Sequence, residues 1–131
     1  MKKIIIQNVD KPKANKVKEE VKWVCDSLGL VSGRDLDNIS FKIIYGLLGL
    51  FSEDSLISTD EIAKSLKIES PRVNHHVRGL TESGIIFREK RKIALRGGSL
   101  SAAIEEMRRD SNMMFSKLIY VSKKIDETFK L

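Results

Sequence analysis

The sequence predicts a mainly α fold with one small β-hairpin and a long C-terminal helix. Three observations carry that expectation. Only two Pro and eight Gly interrupt 131 residues, which leaves few breaks and favours helices over a many-stranded fold. Helix-start signals at Ser58 and at Ser70-Pro71 are each followed by apolar residues spaced three and four apart. A heptad run then fills residues 99–129. At 41% hydrophobic and 32% charged, the composition excludes a chain that is disordered throughout. The lone Cys25 excludes an intramolecular disulfide and any zinc site with two or more thiolates.

The elements follow in order. Ile4, Ile5 and Ile6 form a β-prone run ended by Asn8, Asp10 and Pro12. Val17, Val21, Val24, Cys25 and Leu28 then draw a single helical stripe, and Gly29 stands where a helix end wants a left-handed residue. After the polar stretch VSGRDLDN, Asp37 or Asn38 can cap a second helix. Its apolar residues Ile39, Phe41, Ile43, Ile44, Leu47, Leu48 and Phe51 cover most of the circumference, so it should be the central buried helix. Gly46 and Gly49 are expected to let a neighbouring helix approach closely.

Ser58-Thr59-Asp60-Glu61 matches a capping box and opens a short helix with Ile62, Ala63 and Leu66 inward. Ser70 as N-cap and Pro71 at the first helical position begin the next, with Val73, Val77 and Leu80 inward and Gly84 at its end. Ile85-Ile86-Phe87, a charged turn through Glu89-Lys90-Arg91, and Ile93-Ala94-Leu95 read as a hairpin with a basic tip. From Ser99 the residues Leu100, Ile104, Met107, Ser111, Met114, Leu118, Val121, Ile125 and Thr128 keep a 4-3 alternation, widened by Phe115, Ile119 and Phe129. A helix of that length spans about 46 Å, more than a core of this size can cover, so the seam calls for a partner. The expected organisation is an N-terminal strand and helix over 1–36, a central domain over 37–98, and a dimerisation helix over 99–131.

The helix, capped short helix, turn, second helix and hairpin stand in the order of a winged helix-turn-helix. The stretch STDEIAKSLKIESPRVNHHVRGLTESGII resembles that motif in winged-helix transcriptional regulators of the MarR-like and ArsR-like superfamily. The capped DEIAKSL helix, Ile68 in the turn, the Ser70-Pro71 start, Val73, Val77, Leu80 and the ESGII step into the wing carry the resemblance, which covers roughly residues 39–97. Lys67 stands where many such motifs have a turn glycine, and Gly79 where the family is often basic. The resemblance implies a sequence-specific, double-stranded-DNA-binding transcriptional regulator that acts as a homodimer.

Charge placement points the same way. Residues 70–97 hold seven basic side chains (Arg72, Arg78, Arg88, Lys90, Arg91, Lys92 and Arg96) against Glu82 and Glu89, while the whole chain carries +6. With Val73, Val77 and Leu80 inward, Arg72, Asn74, His75 and Arg78 should face outward from the first half of the 70–83 helix. A helix fits the major groove with its first turns at base edges, where Arg pairs with guanine and Asn with adenine. Ser70 and Arg88 are also expected at the DNA, and Lys90, Arg91 and Lys92 at the wing tip would touch backbone or minor groove, with the 87–93 wing gripping the flanking duplex. Dimerisation falls to Leu100, Ile104, Met107, Met114, Leu118, Val121 and Ile125.

Other chemistry finds little footing. The sequence lacks a GxxxxGK phosphate loop, HExxH and GxSxG, so no enzyme and no cofactor is expected. Adjacent His75 and His76 point about 100° apart on a helix and have no third ligand nearby, so no metal is expected. His76 should pack partly into the core, Cys25 should be a buried small hydrophobe, and Trp23 should cover core or meet a partner. MKKIIIQNVD has too short an apolar run for a signal peptide, and the apolar stretch 39–51 is too short to cross a membrane. The expected setting is a reduced cytoplasm. A different role remains open from the residues alone: a winged-helix protein-interaction module of a larger nucleic-acid-associated assembly. Structured RNA is a third possible partner for the same basic surface, and a small-molecule effector is not indicated either way.

Overall fold

The computed structural model describes residues 2–12, 16–30, 37–49 and 56–131. Among the described residues, five helices and three strands follow one another: α1 (Val17–Ser27), α2 (Ile39–Leu47), β1 (Ile57–Ser58), α3 (Thr59–Leu66), α4 (Ser70–Ser83), β2 (Ile86–Glu89), β3 (Lys92–Leu95) and α5 (Leu100–Phe129). A single 3-10 turn over Arg96–Gly98 joins β3 to α5. The fold is mostly helical with a small wing and a long last helix, in the class the sequence predicts.

α2 is the buried centre. Ile39, Ile43 and Ile44 are fully shielded from solvent, each contributing about 2–3 kcal/mol of burial. The expected cap is not made. Asn38 sits at the cap position with φ 52° and no side-chain bond to the helix, and Asp37 reaches instead for Arg72. Gly49 lies beyond the helix at φ 131°, and a side chain added there would meet nothing within 4 Å, so the turn uses it and helix packing does not. Gly46 is buried. Phe51 and residues 31–36 of the polar stretch lie outside the described residues.

α3 begins as its capping box requires, the Glu61 N–H donating to Ser58 Oγ at 3.1 Å. It ends at Lys67 with φ 55°, so the position where related motifs use glycine is left-handed here too. α4 starts one residue earlier than the sequence implies. Glu69 is the cap, without a side-chain bond, and Ser70-Pro71 fill the first two helical positions. Val73, Val77 and Leu80 are buried, and Gly84 closes the helix at φ 88°. β2 and β3 pair antiparallel with Glu89 opposite Lys92, and Lys90 turns the hairpin at φ 59°. The short β1 adds a third strand on the other side of β3, with Ile57 opposite Ile93, so the wing is anchored at its root.

The N-terminal segment departs from expectation. Ile4–Ile6 form no strand, because the segment's donors go to helix ends: Lys2 and Lys3 N–H to Glu82 O at 2.8 and 3.2 Å, and Gln7 N–H to Ser27 O at 2.7 Å. Trp23 Nε1 donates to Val9 O at 2.8 Å, so this indole pins the arm to α1. Gly29, at φ 62°, is required twice over, since a Cβ there would lie 2.9 Å from Ile5 Cγ2. Cys25 is fully buried, and that burial, reinforced by the neighbouring Asp26, pushes its thiol up to about 12.

The seam on α5 divides. Ser99 Oγ accepts from the Ala102 N–H at 3.1 Å and starts the helix. Ala103, Met107 and Ser111 are buried against the chain's own domain, Leu100 packs on its core and Ile104 is half-buried. Leu100 and Met107, expected at a dimer interface, therefore close the intramolecular core. From residue 112 onward every side chain is exposed.

Candidate nucleic-acid interface

Three inward residues set the orientation of α4. Val73, Val77 and Leu80 face the core, which turns Pro71, His75, Arg78 and Glu82 to the opposite side at helical spacing. His75 and Arg78 are exposed as the sequence predicts. Arg72 is also exposed, but its guanidinium donates to Asp37 Oδ2 at 2.6 Å. That hydrogen bond and the charge behind it hold the Asp37 carboxyl below its ordinary value. Asn74 is a correction: it is half-buried, and its Oδ1 is shielded from solvent without a hydrogen-bond partner. Position 74 lies beside the inward stripe, so its amide turns partly beneath the outer surface that His75 and Arg78 form. Ser70 is half-buried in the first turn of the helix.

His76 behaves as expected of a residue near the inward face. Its Nδ1 lies 3.0 Å from Ser40 Oγ, tying α4 to α2, and its ring meets that of His75 edge-on. A shallow cleft of about 380 Å³ lies over this contact, bordered by Leu30, Ser40, both histidines, Arg78 and Glu82.

The wing presents the densest cationic surface. Arg88, Lys90, Arg91 and Lys92 are all exposed. The Arg88 Nε donates to Lys90 O at 3.1 Å, bracing the tip across the turn, and Thr59 N–H donates to Arg91 O at 3.0 Å, bracing it against α3. Arg96 does not belong to this surface. It pairs with Glu106 at 2.7 Å and Asp110 at 2.5 Å on α5. The hydrogen bond to Asp110 raises the Arg96 pKa and lowers that of Asp110. Two of the seven cations in the 70–97 segment thus serve ion pairs, and the outward positive charge concentrates on Arg78 and the wing. Sequence reasoning missed both pairs, because nothing in local periodicity links residues 35 or 14 apart.

Among the described residues no three His, Cys, Asp or Glu side chains gather as a metal site, and no helix is long and apolar enough to cross a membrane. A capped helix, a tight turn, an outward-facing second helix and a three-stranded basic wing together define a winged helix-turn-helix domain. Residues 36–86 match the family model described as winged helix-turn-helix DNA-binding, which ends at the start of β2 and leaves α1 and α5 outside the match. Over those residues the chain is therefore similar to that family and has its winged helix-turn-helix architecture. Comparisons with curated proteins and with solved structures give no match.

Proposed function

We propose that the chain is a sequence-specific regulator of transcription that binds double-stranded DNA as a homodimer. Each protomer inserts α4 into the major groove with His75 and Arg78 foremost, while the β2–β3 tip lies on the flanking backbone. The observation that carries this reading is the joint exposure of the outer face of α4 and four wing cations on a domain matching a DNA-binding family. Arg72 can add a phosphate or base contact by exchanging Asp37 for DNA. Asn74 plays the lesser part in base reading that its half-buried amide allows.

The electrostatic part has a numerical signature. If each protomer neutralises roughly four phosphates, the logarithm of the association constant falls with log salt at a slope near −7 for the dimer. Gel shifts with duplex DNA across a salt series measure it, and a slope near zero removes the proposal's electrostatic basis. Competition by structured RNA in the same assay separates duplex reading from RNA binding. Dimer symmetry predicts a pseudo-palindromic site with half-sites about 10 bp apart or a multiple of that.

A further inference from the structure

We propose that two copies of this chain pair antiparallel along the free half of α5, with Leu118 of one packed against the partner's Val121. This rests on the homodimer reading above and adds the orientation and register of its interface.

The stripe of α5 that seats Met107 and Ser111 on the chain's own domain continues without a break through Met114, Leu118, Val121 and Ile125. Those four are 41%, 61%, 53% and 52% exposed. From Ser111 to Ile125 the spacing averages 3.5 residues, the signature of a helix that packs on another helix along its length. A partner helix lying on this stripe must respect what already occupies the stripe over 100–111. In a parallel pair, the partner's α5 would run on alongside those residues and enter the volume of the first winged domain. An antiparallel partner brings its helix end there instead, because α5 stops at Phe129 with Lys130 at φ 53°.

The residues specify the register. Setting Leu118 against the partner's Val121 places Met114 against the partner's Ile125 and ends the partner helix, at Thr128, beside Ser111, which the chain's own domain already covers. The four exposed apolar positions short of that point then fill every inner layer. Flanking residues agree. Phe115 and Phe129 lie on one side of the stripe, Lys117 and Lys124 on the other. Antiparallel pairing brings like flanks together, setting Phe115 against the partner's Ser122 on one edge and Lys117 against the partner's Lys124 on the other, where solvent screens the repulsion. A parallel pair would set each aromatic edge against the lysine edge.

The two-fold axis falls between Ile119 and Tyr120. Met107, where each winged domain is anchored, is then 25 helical residues from its counterpart, about 37 Å along the pair. One turn of duplex, at 34–36 Å, has nearly the same length.

The test mixes two single variants of the full chain, Met114→Cys and Ile125→Cys, under mild oxidation. Antiparallel pairing gives a disulfide only in the mixture, approaching half of all dimers, and none in either protein alone. Cys25 is fully buried and does not compete. Homodimeric disulfides in each protein alone mean parallel pairing and overturn the proposal while leaving a DNA-reading dimer intact. Light scattering of the unmodified chain completes the experiment: a monomer overturns both the pairing and the homodimer reading, and a dimer with no cross-link overturns the register.

Discussion

Replacing Lys90 with Asn should move stability and DNA binding in opposite directions. Lys90 turns the wing at φ 59°, a conformation costing a β-carbon-bearing residue about 1–2 kcal/mol and least costly for Gly, Asn and Asp. Asn therefore recovers about 0.5–1 kcal/mol, which is a rise of roughly 2–5 °C in Tm for a chain of this size. The Lys90 carbonyl that accepts from Arg88 belongs to the backbone and survives the exchange. Binding suffers for a separate reason. Neutralising one phosphate fewer per protomer flattens the salt slope by about 0.9 for each, and at 0.15 M salt weakens binding about fivefold per protomer and about thirtyfold per dimer. Calorimetry or thermal circular dichroism reads the first quantity, and fluorescence anisotropy on labelled duplex across a salt series reads the second. A variant that binds with unchanged slope refutes wing contact at this position. One that melts lower refutes the account of backbone strain.

Arg91→Glu should weaken binding to specific and random duplex alike, which parallel titrations on the two DNAs detect as an unchanged ratio of affinities. Lys67→Gly removes the left-handed penalty at the end of α3 and should raise stability by about 1 kcal/mol, measured by urea unfolding, without altering DNA affinity. Leu118→Glu should leave a monomer by light scattering with the winged domain's melting little changed, because Leu118, like every residue beyond Ser111, is exposed in the single chain. For Asp110, the pKa lowered below 3.8 by Arg96 means stability that is complete above that pH and lost as pH falls through the folded value. Asp110→Asn should accordingly reduce the loss of stability below about pH 4, and acid titration of unfolding tests this.

Local signals in the sequence specified most of the domain. Ser58 and Glu61 sit on the same helical turn they cap, Val73, Val77 and Leu80 recur at helical spacing, and Gly84 closes α4 because it tolerates the backbone there. What stayed hidden depends on residues far apart in the chain. β1 is two residues long and exists only because β3 pairs with it, so no alternation announced it. Asp37 was legible as a cap by type, but a guanidinium 35 residues away offered the stronger partner. Ile4–Ile6 had strand propensity, but the carbonyls of Ser27 and Glu82 took the segment's donors instead. The heptad spacing on α5 was plain, whereas the point where it passes from the chain's own core to open solvent depends on the domain's dimensions. At the site, residue types revealed the basic wing. The half-turn of Asn74 toward the interior and the pairing of Arg96 needed coordinates.

Selection of bound sequences from a random duplex pool, using the full chain near physiological salt, tests the central claim most directly. The account predicts enrichment of two inverted half-sites about one duplex turn apart, or a multiple of it, with enrichment abolished by Arg78→Ala on the reading helix. Recovery of no preferred sequence, or of one that Arg78→Ala and Arg91→Glu leave untouched, would contradict it.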